Sequence, residues 1–224
     1  MVSQTSLQVE LETNGLVLLG GFAPKDGQKL PELADGGRPE TLAVVASAGP
    51  AMWHALKQAP EYASHPHPID AWSKRILSKI APRHNADVVF PFDGPPYWPF
   101  QQWIMALPGM SQSPLGVIVH SRFGPWFALR GALLFAEALE FASLDAGPGP
   151  CPGCADKPCL DACPAGALTR KSAFDAGLCR DYVRKNANHD CSEKGCLVRH
   201  ACPYGRDYTY LSEQTQHHMA AFAR

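Results

Sequence analysis

All eight cysteines of this 224-residue chain lie between positions 151 and 202, and the first 150 residues contain none. In a reducing compartment, a cluster of cysteines more often binds metal or performs redox chemistry than forms lasting disulfides. The uneven distribution predicts two parts, a cysteine-free N-terminal domain and a small cysteine-rich module. The Gly- and Pro-rich segment 145–150 is the natural boundary between them.

The composition excludes several classes of function. The formal net charge is −1 and no block of Lys and Arg is present, which argues against a nucleic-acid-binding surface. Hydrophobic residues make up 46% of the chain, so a packed core is expected rather than disorder. The N-terminus shows no secretory signal, and no stretch has the length and apolarity of a membrane span. We therefore expect a cytoplasmic protein with no nucleic-acid partner and no membrane span.

The first 145 residues mix strand and helix patterns without a regular strand–helix–strand alternation, which favours an α+β fold. Alternating apolar residues around Asn14-Gly15 predict a β-hairpin over 7–22. A buried strand is expected at 41–49, with a helix beginning near Pro50. The apolar spacing over 66–82 predicts an amphipathic helix.

The rest of this domain predicts further short elements. Residues 86–92 fit a strand and residues 97–107 fit a short amphipathic helix. Two apolar runs at 115–124 and 126–135 predict antiparallel strands joined around Gly124-Pro125. An arginine lies near the middle of the second run, and a buried guanidinium is costly unless an anion or a carbonyl group meets it.

The cysteine segment has a spacing that suits an iron–sulfur centre. Residues 151–164 follow the pattern C-x2-C-x4-C-x3-C-P, and a second C-P pair stands at Cys202-Pro203. The pattern resembles the run of the bacterial ferredoxins, although their third cysteine usually follows a two-residue gap. The resemblance implies that one [4Fe–4S] cluster is held by Cys151, Cys154, Cys159 and Cys202. It implies that a second is held by Cys163, Cys179, Cys191 and Cys196.

Two other uses of the cysteines remain open at this stage. Zinc sites favour paired Cys-x2-Cys units, and Cys151 and Cys154 form the one such pair in the sequence. Disulfides would form if clusters were lost in air, because the thiols are already close together.

The segment HSRFGPWFALRG, residues 120–131, resembles the signature of the CblC cobalamin-processing family, His-Pro-x-[FY]-Gly-x-Trp-Phe-Ala-[IL]-Arg-Gly. Here Ser121 replaces the motif proline, and Pro125 fills its variable position. Residues 41–57 are similar to that family's first strand and helix, so the likeness covers about residues 40 to 135. It implies a modified nitroreductase-like α+β fold that binds a corrinoid.

The same resemblance implies roles for single residues. Arg130 matches the family arginine that contacts glutathione beside the corrinoid. Phe123 and Trp126 would wall the macrocycle, and His120 would approach it as a donor or ligand. The structural alternatives are that the aromatic side chains belong to the core, that His120 makes a structural hydrogen bond, and that Arg130 pairs with a carboxylate such as Glu137 or Glu140.

Together these patterns predict an α+β domain over 1–145, a ferredoxin-like two-cluster module over 146–206 and a C-terminal helix over 207–224. A cobalamin domain followed by two clusters is similar to the architecture of epoxyqueuosine reductase and reductive dehalogenases, but no residue here matches their catalytic acids. The predicted function is one-electron transfer from the clusters to a corrinoid, as in a cobalamin reductase or decyanase, with a redox protein or small molecule as electron donor. The alternative is an electron carrier or a subunit of a redox complex that binds no corrinoid. A flavin is a third option, suggested by the fold class alone.

Overall fold

The computed structural model describes residues 3–25, 27–145, 147–185 and 190–224. Its contacts divide the chain into two compact units. The first comprises Met1–Pro108 and Ala128–Ala146, and the second comprises Gly109–Phe127 and Gly147–Arg224. The predicted single seam after residue 145 differs from this division, because residues 109–127 group with the cysteine segment.

Six strands are present in the described residues: β1 (Leu16–Phe22), β2 (Thr41–Ala48), β3 (Asp87–Val89), β4 (Met110–Gln112), β5 (Ile118–His120) and β6 (Phe127–Phe135). The helices there are α1 (Gln4–Thr13), α2 (Ala51–Lys57), α3 (Glu61–Ser64), α4 (Pro68–Ile80), α5 (Phe100–Ile104), α6 (Pro150–Gly153), α7 (Ala176–Lys185), α8 (Asp190–Glu193), α9 (Leu197–His200) and α10 (Ser212–Ala223). Short 3₁₀ helices cover Ala81–His84, Pro158–Asp161 and Arg206–Tyr208. None of the helices in these residues is long and apolar enough to cross a membrane.

A four-stranded sheet with the order β1-β2-β6-β3 organises the first unit. β1 pairs antiparallel with β2, and β3 pairs antiparallel with β6. Every residue of β2 is buried, as expected for an interior strand covered on both faces. The predicted strand at 41–49 and the α+β class are therefore confirmed.

The helix α4 confirms the amphipathic pattern over 66–82. Its buried face includes Ile69, Trp72 and Leu77, while charged residues occupy the other side. Pro68 stands in its first turn, where a missing N–H costs nothing. After Ile80 the backbone tightens into a 3₁₀ turn rather than stopping at once.

The hairpin predicted over 7–22 is wrong, because residues 4–13 form α1. Leu7 and Leu11, four residues apart and fully buried, lie on one face of this helix. The side chain of Ser3 caps it by accepting the N–H of Ser6 at 3.4 Å. Gly15, with φ of 70°, ends the helix and does not form the turn of a hairpin.

The predicted pairing between 115–124 and 126–135 is also wrong. β5 pairs with β4 in a separate two-stranded sheet, whereas β6 joins the four-stranded sheet. The turn between them is closed by mutual backbone hydrogen bonds of His120 and Gly124, at 2.8 and 3.0 Å. The turn follows His120, the last residue of β5, and β5 therefore does not pair with β6.

Candidate cysteine sites and the arginine of the first unit

Four cysteines surround one pocket in the second unit. Cys151 lies in α6, Cys154 follows it, Cys159 lies in a 3₁₀ turn, and Cys202 comes from the segment after α9. The remaining lining of the pocket is mostly apolar and includes Val119 and Pro125. The structure thus brings together the first of the two ligand sets that the ferredoxin resemblance implied.

The pKa values of Cys159 and Cys202 are raised by burial and by the charges of the other cysteines in this set. Burial raises the pKa of the Cys202 thiol, and the charges of Cys151 and Cys159 raise it further. Burial likewise raises the pKa of Cys159, and its neighbours Cys151 and Cys154 add to the effect. Such a site favours neutral thiols until a cation binds, and a cation stabilises the deprotonated form.

The other four cysteines form a second group in the same unit. Burial raises the pKa of Cys179 to about 11, and the charges of Cys196 and Cys163 contribute. Burial raises the pKa of Cys191 as well, with Cys196 and Cys163 again among the causes. Cys179 and Cys191 therefore both interact electrostatically with Cys163 and Cys196, and these four cysteines are the second predicted set.

Backbone amides point at the sulfur atoms in both groups. The N–H groups of Val198 and Arg199 donate to Cys196, and that of Leu197 donates to Cys191. In the first group, the N–H of Tyr204 donates to Cys202. Such hydrogen bonds stabilise thiolate sulfur and help to set the potential of an iron–sulfur cluster.

The donor set consists of thiols alone. All eight cysteines are free thiols, and they form two separate groups of four. Within the described part of the chain, no three His, Cys, Asp or Glu side chains are placed to hold one metal ion.

The segment 109–127 supports the first group directly. A Cβ added at Gly124 would lie 2.0 Å from the carbonyl oxygen of Tyr204, and one at Gly205 would lie 2.1 Å from that of Phe123. The two backbones therefore touch beside Cys202. The N–H of Cys151 also donates to Ser111 Oγ at 3.1 Å.

The aromatic residues of the arginine motif lie in the packed interior of this unit. Phe123 and Trp126 are each 2% exposed, and His120 is 1% exposed. The ring of His120 stacks on Phe123 at 4.7 Å, and Trp126 meets Tyr210 edge-on at 5.5 Å. The Nδ1 atom of His120 accepts the N–H of Arg122 at 3.0 Å. These contacts are those of core residues.

Arg130 belongs to the first unit and is 7% exposed on β6. Its Nε donates to Ser47 Oγ at 3.2 Å, and its Nη1 stands 3.9 Å from a carboxylate oxygen of Asp70. Asp70 lines an open cavity of about 550 Å³, together with His65, His67, Ala71, Lys74, Arg75, Phe92 and Asp93. The structure therefore gives Arg130 a carboxylate partner on α4. The motif aromatics Phe123 and Trp126 belong to the other unit.

Sequence reasoning missed Asp70, Ser47 and Arg199. The partners of Arg130 come from strands and helices far away in the chain, so no spacing rule could identify them. Arg199 had a local signal, because it lies between Cys196 and Cys202.

No family model matches the chain, and no curated protein matches it. Among solved structures, it is similar to the crystal structure of CblC, a B12-trafficking protein of C. elegans and a homologue of human MMACHC. The TM-score is 0.54 at 13% sequence identity, and the match covers 99% of this chain and 92% of that one. The comparison confirms a CblC-like mixed fold with an antiparallel sheet, and at this identity it bears on the fold alone.

Proposed function

We propose that this chain is an iron–sulfur redox protein whose two cysteine groups each hold one [4Fe–4S] cluster. The observation that carries the proposal is the separation of eight free thiols into two groups of four, each with close electrostatic contacts. Iron–sulfur clusters of this type are held by four cysteine thiolates. A ferredoxin-like role for the module follows from this chemistry.

The protein residues provide the environment that such a cluster requires. The apolar side chains of Val119 and Pro125 keep water from the first group, and backbone N–H groups donate to the sulfur atoms. Because burial raises the pKa of several of these thiols, uptake of iron must release protons. When bound, the clusters would supply one-electron chemistry.

We propose further that the first unit binds a corrinoid as the electron acceptor. Two findings support this step: the likeness of the fold to a B12-trafficking protein, and a buried Arg130 next to an open cavity through its partner Asp70. A guanidinium can donate to the amide carbonyls of a corrinoid. The activity would be that of a cobalamin reductase.

The first test is the iron and acid-labile sulfide content of anaerobically purified protein. About eight of each per chain are expected, since each cubane contains four of each. Cys154→Ala and Cys179→Ala each remove one ligand from a different group, so each variant should retain about four irons. Absence of iron from the wild-type protein, with zinc in its place, would contradict the proposal.

The second test is binding of hydroxocobalamin, followed by its visible spectrum and by tryptophan quenching. Arg130→Gln should weaken binding, while Arg38→Gln serves as a matched control because Arg38 is exposed and its side chain donates to the Lys25 carbonyl in the same unit. Circular dichroism of both variants checks that the fold is intact. Equal binding by Arg130→Gln and wild type would remove Arg130 from the site.

A second candidate function is electron carriage without a corrinoid. The burial of Phe123, Trp126 and His120 favours it, because these side chains are committed to the core of the second unit. Clusters in the protein, no spectral change with cobalamin and a stoichiometric partner on purification would favour this candidate over the first.

A further inference from the structure

Along the chain, Arg199 lies between Cys196 of the second cysteine group and Cys202 of the first. It lies on the single turn of α9, which begins directly after Cys196 of the second group and ends just before Cys202 of the first. Its side chain lines the pocket that contains Cys151, Cys154, Cys159 and Cys202. Its charge also lowers the pKa of Cys196, in opposition to the larger effect of burial. The geometry therefore places the Arg199 side chain at the first group.

The surroundings of the Arg199 guanidinium hold it firmly in position. The group stacks over Trp126 at 4.7 Å and over Tyr210 at 5.0 Å. Its Nη2 donates to the carbonyl oxygen of Pro125. Planar stacking and a carbonyl partner fix the orientation of the side chain without neutralising its charge.

Not every N–H group of this guanidinium has a hydrogen-bond partner among the described residues. Its Nε is buried, and among the described residues it has no hydrogen-bond partner. Among the described residues, no carboxylate is within ion-pair distance of Arg199, although seven other cation–carboxylate pairs occur there. A half-buried cation of this kind favours an anionic partner, and the thiols that line the same pocket become anionic when they bind a metal.

Reduction of a tetrathiolate cluster adds one electron and therefore one negative charge to its site. A fixed positive charge nearby stabilises the reduced form more than the oxidised form and so raises the reduction potential. Low dielectric in the apolar pocket strengthens this effect.

We propose that Arg199 is a charge-compensating residue of the first cluster site and keeps its reduction potential higher than the thiolates alone would set. This inference rests on the proposed binding of two clusters. The side chain would act by its charge, and its aromatic stack would hold that charge in place. The negative charge that it would balance is that of the cluster together with its thiolate ligands.

The test is a redox titration of anaerobic protein with dithionite as reductant, followed by electron paramagnetic resonance. Arg199→Gln and Arg199→Met remove the charge, and both should shift the potential of the first cluster to a more negative value. Arg199→Lys keeps the charge and should stay near wild type. Arg122→Gln is the control, because Arg122 also stacks on aromatic rings of this unit, Phe123 and Tyr208, but is exposed and does not line the pocket.

The iron and sulfide assay of the wild-type protein separates this inference from the proposed function. Absence of clusters in the wild type overturns both. Clusters in the wild type, with unchanged potentials in the two neutral variants, overturn the role of Arg199 alone.

Loss of clusters from the variants is also decisive. If the neutral variants lose their clusters while Arg199→Lys keeps them, the charge is required and the proposal stands. If Arg199→Lys loses them as readily as Arg199→Gln, the guanidinium has a packing role and the proposal fails.

Discussion

The two units of this protein are stabilised in different ways. In the first, buried apolar side chains run along the strands, and one cluster joins Leu33, Leu42, Phe100, Trp103, Ala132 and Leu134. Beyond residue 147, the buried apolar side chains of the described residues are few: Ala167, Leu168, Val183, Cys191, Val198 and Tyr210. Phe123 and Trp126 of the same unit pack against Tyr208 and Tyr210 of this segment. Under the proposed function, a bound centre would add to the stability that this small core provides, as in small metal-binding domains.

Removal of iron should therefore affect the two units very differently, and this is the largest effect that we expect. In chelator-treated protein, residues 147–224 should become sensitive to protease, because the ligand-free thiols no longer tie the short helices together. Tryptophan fluorescence should still report a folded first unit, since Trp53, Trp72, Trp98 and Trp103 lie there. Equal protease resistance before and after iron removal would show that the second unit is stable by its own packing.

A cavity in the core of the four-stranded sheet should instead destabilise the first unit and leave the iron content unchanged. Leu42→Ala, at a fully buried position of β2, should cost about 2–5 kcal/mol of stability. The iron content should be unchanged, because the mutation lies in the unit that holds no cysteine. Urea unfolding followed by tryptophan fluorescence measures the loss of stability. A loss of iron in this variant would mean that the units do not fold independently.

Within the second unit, the contact between Gly124 and Tyr204 should matter more than the local turn geometry. Gly124→Ala places a Cβ at positive φ, which costs about 1–2 kcal/mol, and overlaps a backbone oxygen, which adds roughly 1–3 kcal/mol. Gly116→Ala shares only the positive φ, because open space surrounds Gly116. The half-life of cluster absorbance in air compares the two. Similar half-lives would mean that the Gly124 contact does not support the cysteine site.

The smallest expected effect concerns an ion pair of the first unit. The Arg75 guanidinium, whose Nη2 donates to Glu61 Oε2 at 3.0 Å, holds the pKa of that carboxyl below its usual value of 4.5. The pair therefore stabilises the fold above that value, and the contribution disappears as the pH falls through the lowered pKa. Glu61→Gln should cost about 1 kcal/mol at about pH 7 and almost nothing at about pH 3.

Urea unfolding at the two pH values checks this expectation, with Glu40→Gln as the control because Glu40 is exposed. A cost that does not change with pH would point to lost packing around Glu61 rather than to its charge.

Local patterns were sufficient for part of the fold. The buried run of β2 and the apolar face of α4 could be predicted because each depends on residues close together in the chain. The two sets of cysteines were assigned from spacing and resemblance, and the four thiols of the first set line one pocket in the structure. Their occupation by clusters remains a prediction.

The errors have a common physical cause, which is that non-local packing overrides local preference. Alternation over 7–11 fits a strand, but Leu7 and Leu11 are equally well spaced for the helix that buries them. The motif around Phe123 and Trp126 suggested a cofactor wall, and the structure packs these rings against Tyr208 and Tyr210, more than 80 residues away in the chain.

The sequence by itself determined where the thiols are, how they are spaced and which segments are apolar enough to form a sheet. Only the tertiary structure decided that residues 109–127 support the cysteine pocket, that Arg130 faces Asp70 and that Arg199 lines the pocket of the first cysteine group. The reason is that ligand spacing is a property of a continuous stretch of chain. The partner of a buried charge is chosen by whichever distant backbone and side chains the fold brings to it.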